Sequence, residues 1–197
     1  LLGLVSITAM LAYSIIGQNP ALGGIMTIGG AILATILALV ILFVRPQNPQ
    51  VLMSMYAILE GLFIGGFSYM IENYYLGGTD GVVLQALVGT MAVFFTMLGV
   101  YKFGLIKPTE KFVLVVSSLV GAIMILYLFN FILMMFGTTV PFLHSSGPIG
   151  IGISVVFIVV AALFLIVDFG MIENGVKYGA PKNMEWYGAF GLVLTLV

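Results

Sequence analysis

The sequence predicts an all-α protein that crosses a membrane about seven times. Three observations lead there. The chain of 197 residues is 62% hydrophobic and 7% charged, with a mean hydropathy of +1.26, whereas soluble domains carry roughly 25% charged residues. A water-soluble fold of this length has no interior large enough for so much apolar surface. Second, the apolar residues come in unbroken runs of about 20, the length that carries a helix across roughly 30 Å of hydrocarbon. Membrane barrels would instead show strands of about ten residues with alternating polarity, and a lipid-embedded backbone that does not close into a barrel has to pair its own polar groups as a helix. Third, the basic residues fall only in alternate connections.

The spans follow in order. The first covers Leu1 to about Ile16 and the second Ala21 to Val44. The third runs from Val51 to Ile71, the fourth from Val82 to Tyr101, the fifth from Phe112 to Phe136 and the sixth from Ile149 to Phe169. A seventh begins near Met184 and reaches Val197. The chain starts Leu1-Leu2-Gly3 and stops inside an apolar run, so the first and seventh spans are expected to be truncated. The breaks have chemical causes. Gly17-Gln18-Asn19-Pro20 is a tight turn, and Pro46 and Pro49 halt the helix around Arg45-Pro46-Gln47-Asn48-Pro49-Gln50. Gly77-Gly78-Thr79-Asp80-Gly81 is a flexible turn, Thr109 is placed to cap the fifth span, and Gly179-Ala180-Pro181-Lys182-Asn183 precedes the seventh. No repeat or low-complexity tract divides the chain, so a single transmembrane domain over 1–197 is the simplest organisation.

Arg45, Lys102, Lys107, Lys111, Lys177 and Lys182 follow the second, fourth and sixth spans, and the other connections hold no basic residue. Cytoplasmic loops are enriched in Lys and Arg, which places the even-numbered connections and the start of the chain in the cytoplasm. The C-terminus is then outside if the seventh segment crosses, and inside if it is re-entrant. The net charge of −1 says nothing about partners, but the absence of a basic cluster argues against nucleic acid. The chain has no cysteine, which excludes disulfides, thiolate metal sites and a cysteine nucleophile. A His-Glu-x-x-His zinc motif, a Gly-x-Ser-x-Gly elbow and a phosphate-binding Gly-x-x-x-x-Gly-Lys loop are all missing. No apolar span carries a lysine, and an aspartyl intramembrane protease would need a second intramembrane Asp beside Asp168. The sequence therefore points away from an enzyme.

Of the acids Glu60, Glu72, Asp80, Glu110, Asp168, Glu173 and Glu185, five lie in loops or near span ends, where solvation accounts for them. Glu60 lies near the middle of the third span, where an ionised acid costs at least about 2.5–3.5 kcal/mol. Two readings stand: a carboxyl that handles ions or protons, or a neutral Glu donating a hydrogen bond between helices. Beside it, Gly61 and Gly65 form a small-xxx-small face that lets another helix approach closely. Asp168, at the cytoplasmic end of the sixth span, is too short to snorkel far. It meets a cation arriving from the cytoplasm or pairs with a basic group at that depth such as Arg45, or else it lies among headgroups with water around it. Asn130 and Gln85 are expected to join helices, Ser117 and Ser118 to bond back to their own helix, and His144 to be an isolated loop residue. Glu173 and Lys177, four apart, read as an ion pair on a helical extension of the sixth span.

Several stretches resemble the bacterial Bax inhibitor-1-like family. Tyr56-Ala57-Ile58-Leu59-Glu60-Gly61-Leu62-Phe63-Ile64-Gly65-Gly66 is similar to its third-span motif. Val167-Asp168-Phe169, Ile172-Glu173-Asn174-Gly175, Gly179-Ala180-Pro181 and Glu185-Trp186-Tyr187-Gly188-Ala189-Phe190 resemble its C-terminal signature. The resemblance implies seven helices with the last one central. It also implies a pH-sensitive calcium leak in which a sixth-helix Asp pairs with a seventh-helix Asp, and an Arg after the second helix latches onto the acid. Asp168 matches the sixth-helix Asp and Arg45 the Arg. The seventh-helix position falls on Thr195, and an acid inside the second helix falls near Ala34, so the acidic pair is not intact.

The expected function is then a cation leak, calcium foremost, in a bacterial plasma membrane, with Asp168 and Glu60 on the ion path, Arg45 as latch, and Thr195 and Glu173 as secondary candidates. No cofactor is expected. Calcium enters as the transported ion, with Asp168 or Glu60 as its carboxylate ligand. Two rival readings are a membrane interaction protein that modulates a protease or other membrane complex, and a proton-coupled transporter of a small solute.

Overall fold

The computed structural model describes residues 1–75, 77, 81–141, 143 and 147–197, and every regular element among them is helical. Helix α1 (Leu2–Gln18) gives way at Asn19 to a single 3-10 turn over Pro20–Leu22, which leads into α2 (Gly23–Val44). The prolines at 46 and 49 separate α2 from α3 (Gln50–Met70), which widens into a π-helical turn over Ile71–Tyr75. Then come α4 (Val82–Lys102), α5 (Glu110–Met135), α6 (Pro148–Lys177) and α7 (Met184–Leu196). Thr109 caps α5, its hydroxyl accepting the Phe112 amide at 3.3 Å. Pro148 occupies the first turn of α6, where a missing N–H leaves no bond unmade.

These bounds lie close to the spans expected from hydropathy. Helix α6 continues past Phe169 to Lys177, the helical extension of the sixth span expected from Glu173 and Lys177. Its 30 residues reach about 45 Å, more than the roughly 30 Å of hydrocarbon. Helices α2 to α6 are long and apolar enough to cross a membrane. The flanking helices α1, with 17 residues, and α7, with 13, are shorter, and α1 is also apolar.

The chain forms two compact units, residues 1–90 with 179–197, and residues 91–178. In the first, α3 packs along both α1 and α2, and glycines set the closeness of both contacts. A Cβ at Gly61 would run into the Thr8 hydroxyl and lie 2.7 Å from the Val5 carbonyl oxygen. One at Gly65 would strike the Ala9 carbonyl oxygen and lie 2.8 Å from the Ala12 Cβ. Gly66 turns toward α2, where Thr27 fills the space of its missing side chain, and a Cβ on Gly30 of α2 would lie 2.9 Å from the Phe63 nitrogen of α3. Thr8 and Thr27 donate to carbonyls of their own helices, Leu4 at 2.8 Å and Gly23 at 2.7 Å, so both enter the interface already satisfied. Lipid offers no hydrophobic force between helices, and such close backbone approach supplies dispersion instead. Helix α7 completes this unit: Phe190 and Val193 are buried with Val5, Ala34, Ile41, Met53, Tyr56 and Ala57. The Phe190 ring meets Tyr56 edge-on, with centroids 5.0 Å apart.

In the second unit α5 packs on α6, with Tyr127 against Phe157 at 5.7 Å. Phe94 and Tyr101 of α4 flank Phe169 of α6 at 5.8 and 5.7 Å. Gly170 lies against Pro108, whose Cβ would be 2.9 Å from any Cβ added there. Ser118 bonds back to the Leu114 carbonyl at 2.7 Å, as expected. Asn130 does not join two helices. It is buried and accepts the Val140 amide at 2.9 Å, fastening the connection that follows its own helix.

Candidate functional site

The residues singled out by the sequence divide between the two units. Asp168 and Glu173 belong to the second; Arg45, Glu60 and Thr195 belong to the first. Asp80 and His144 lie outside the described residues.

Asp168 falls in an uninterrupted buried stretch of α6, Leu165 to Gly170. A helix covered on all sides is what this composition demands of a core segment, and a carboxylate inside it is the exception. Asp168 is 4% exposed, so a position surrounded by water does not describe it. Five residues on, Glu173 is exposed and receives the Tyr101 hydroxyl of α4. Its partner is therefore Tyr101 and not Lys177, because the Tyr101 ring, packed on Phe169, brings its hydroxyl to Glu173.

Arg45 has a backbone feature that no sequence pattern shows. It is the one non-glycine residue with positive φ among the described residues, at 47°. It closes α2 in the left-handed conformation, with its amide bonded to the Ile41 carbonyl at 3.2 Å. Helices commonly end this way on glycine, and an L-residue there is strained by about 1–2 kcal/mol. Such strain persists only where surrounding structure fixes it. Here α7 supplies the constraint: Tyr187 donates to the Pro46 carbonyl at 2.9 Å and the Asn183 amide donates to the Gln47 carbonyl at 3.3 Å. The first turns of the last helix thus hold the loop that presents Arg45, whose side chain is exposed.

Glu60 is half-buried on α3, next to the Gly61 contact with α1, and its side-chain hydrogen-bond partner is Tyr56, one turn earlier on the same helix. Tyr56 is in turn packed on Phe190, so Glu60 is tied to the core that α7 completes. Thr195 donates to the Gly191 carbonyl of its own helix at 3.1 Å. Ala34, where the resemblance would place an acid, is 1% exposed in the apolar core.

Glu72 departs from its expected solvation. It is 5% exposed and accepts the Tyr13 hydroxyl of α1 and the Gly81 amide, both at 2.7 Å. The Val82 and Val83 amides also bond to it. One carboxylate therefore takes up the free N–H groups that open α4 and ties α1 to the end of α3. It lies in the π-helical turn, which shifts side chains off the 3.6-residue period, so periodicity could not find it. Replacing Glu72 with Ala is expected to speed amide exchange at Gly81, Val82 and Val83 and to lower the melting temperature by a few degrees. The exposed neighbour Asn73, changed to Ala, should leave both unchanged. Unaltered exchange in Glu72→Ala would contradict the capping role.

Among the described residues, no group of three or more acidic, His or Cys side chains gathers to hold a metal. A family model described as Bax inhibitor 1 like matches residues 1–197, the whole chain. No curated protein and no solved structure matches significantly.

Proposed function

Because this chain belongs to the Bax inhibitor 1 like family, we propose that it lets cations, calcium foremost, pass down their gradient through the membrane under the control of pH. The observation that supports this most is the burial of Asp168 at the end of an otherwise apolar run. Ionisable groups inside a membrane segment are costly and mark ion or proton paths, and carboxylate oxygens are the ligands a hard cation prefers. In this reading Asp168 is the gate at the cytoplasmic side, Arg45 is its latch and Glu60 is a second carboxyl deeper in the membrane. The basic connections face the cytoplasm of a bacterial plasma membrane. Because Thr195 stands at the seventh-helix position, no second acid there repels Asp168. The pH response then rests on protonation of Asp168 and its release from Arg45.

The test is calcium entry into liposomes that hold the purified protein and a calcium indicator. Wild type is expected to admit calcium faster than protein-free liposomes. Arg45→Gly is expected to raise the resting flux severalfold. Its stability should stay within about 1 kcal/mol of wild type, because relief of the left-handed strain offsets the extra freedom of an unfolded glycine. If wild type is no leakier than empty liposomes and a membrane partner co-purifies in stoichiometric amount, an interaction role replaces transport. An unchanged flux in Arg45→Gly removes the latch.

A further inference from the structure

The basic end of the second unit holds a cleft of about 660 Å³ whose lining lacks Asp168, Arg45 and Glu60. Its walls come from the end of α4, the connection after it and the Gly170–Asn174 part of α6. Its lining includes the apolar Leu98 and Ile106 and the polar Lys102, Lys107, Tyr101 and Glu173. Lys102 is the last residue of α4, a helix just long enough to span the hydrocarbon, so the cleft lies at the depth of lipid headgroups. Gly104 makes the turn that shapes it. Its φ of +66° folds the connection back, and the Lys107 side chain passes over it, with Cε 3.8 Å from where a Cβ would be. Lys102 and Lys107 therefore both line the same cleft. The one carboxylate in the lining, Glu173, is engaged by the Tyr101 hydroxyl.

We infer that this cleft binds the headgroup of an anionic membrane phospholipid, with Lys102 and Lys107 taking its phosphate and Leu98 and Ile106 lying along the start of its acyl chains. The chemistry fits at each level. Two ammonium groups outnumber one engaged carboxylate. The volume is within the roughly 300–1,000 Å³ of ligand pockets. Basic clefts between transmembrane helices at the cytoplasmic side recognise such headgroups. The apolar wall separates this ligand from free phosphate, which has no use for it. The site stands independently of the transport reading.

Native mass spectrometry of the full chain in detergent, titrated with phosphatidylglycerol or phosphatidylcholine, tests it. Wild type is expected to retain one phosphatidylglycerol in preference to phosphatidylcholine. Lys102→Ala with Lys107→Ala should weaken this by roughly tenfold or more, given the contribution of each lysine near an anionic surface. Lys111→Ala with Lys182→Ala, which removes the same charge outside the cleft, should leave retention unchanged, and so should Lys102→Arg with Lys107→Arg. Equal loss in both alanine pairs would mean general surface charge and would overturn the site. So would full retention in the Lys102/Lys107 pair, or displacement of the lipid by inorganic phosphate.

Discussion

Gly65→Val is expected to destabilise the protein by about 3 kcal/mol, the upper end of what overpacking a close contact costs. The reason lies in which atoms stand in the way. A side chain at Gly65 meets the Ala9 carbonyl and the Ala12 Cβ of α1, and neither belongs to a flexible side chain that could rotate aside. Helices α1 and α3 would have to separate, losing contact along their shared length, and in lipid those dispersion contacts are much of what joins them. The effect would spread, because α3 also carries Gly66 against α2 and Tyr56 against Phe190 of α7. Gly89→Val on α4 is the matched control, since nothing lies within 4 Å of a Cβ there. Thermal unfolding in detergent should show a large loss for the first and little change for the second. Equal losses would mean that helix propensity, and not the α1–α3 contact, sets the cost.

That contact was readable in advance because Gly61-x-x-x-Gly65 is a local pattern whose physical meaning does not depend on the partner. The helix bounds were readable for the same reason: Pro46, Pro49 and Thr109 act on the backbone within a turn or less. Glu72 was not readable. One partner, Tyr13, is 59 residues away in sequence, the others begin the next helix, and a Glu at a span end looks the same whether water or amides surround it. Asn130 shows the converse. A polar residue in an apolar helix signals a hydrogen bond without saying which, and the Val140 amide of the following loop took it. Glu173 was expected to pair within its own helix, yet Tyr101, 72 residues away, reaches it. The left-handed backbone of Arg45 is likewise a product of tertiary restraint by Tyr187 and Asn183, since nothing about an Arg-Pro pair demands it. Of the candidate site, then, the residue types were legible, and the burial of Asp168 and the anchoring of Arg45 were not.

The transport reading places its greatest weight on Asp168. Asp168→Asn keeps the size of the side chain and much of its hydrogen bonding, and removes the charge and the titration. Since hydrogen bonds to charged groups are worth about 1.5–3 kcal/mol, and each 1.4 kcal/mol is a factor of ten, the control exerted by this carboxylate should change calcium flux by roughly ten- to a hundredfold. Glu60→Gln, which leaves Asp168 and Arg45 in place, should lower flux while preserving its dependence on pH. The direct measurement is calcium entry into proteoliposomes at mildly acidic and mildly alkaline pH, for wild type and for Asp168→Asn of equal thermal stability. The account predicts that wild-type flux changes with pH and that the Asp168→Asn flux is the same at both. An Asp168→Asn protein that keeps the wild-type flux and the wild-type pH dependence would contradict it.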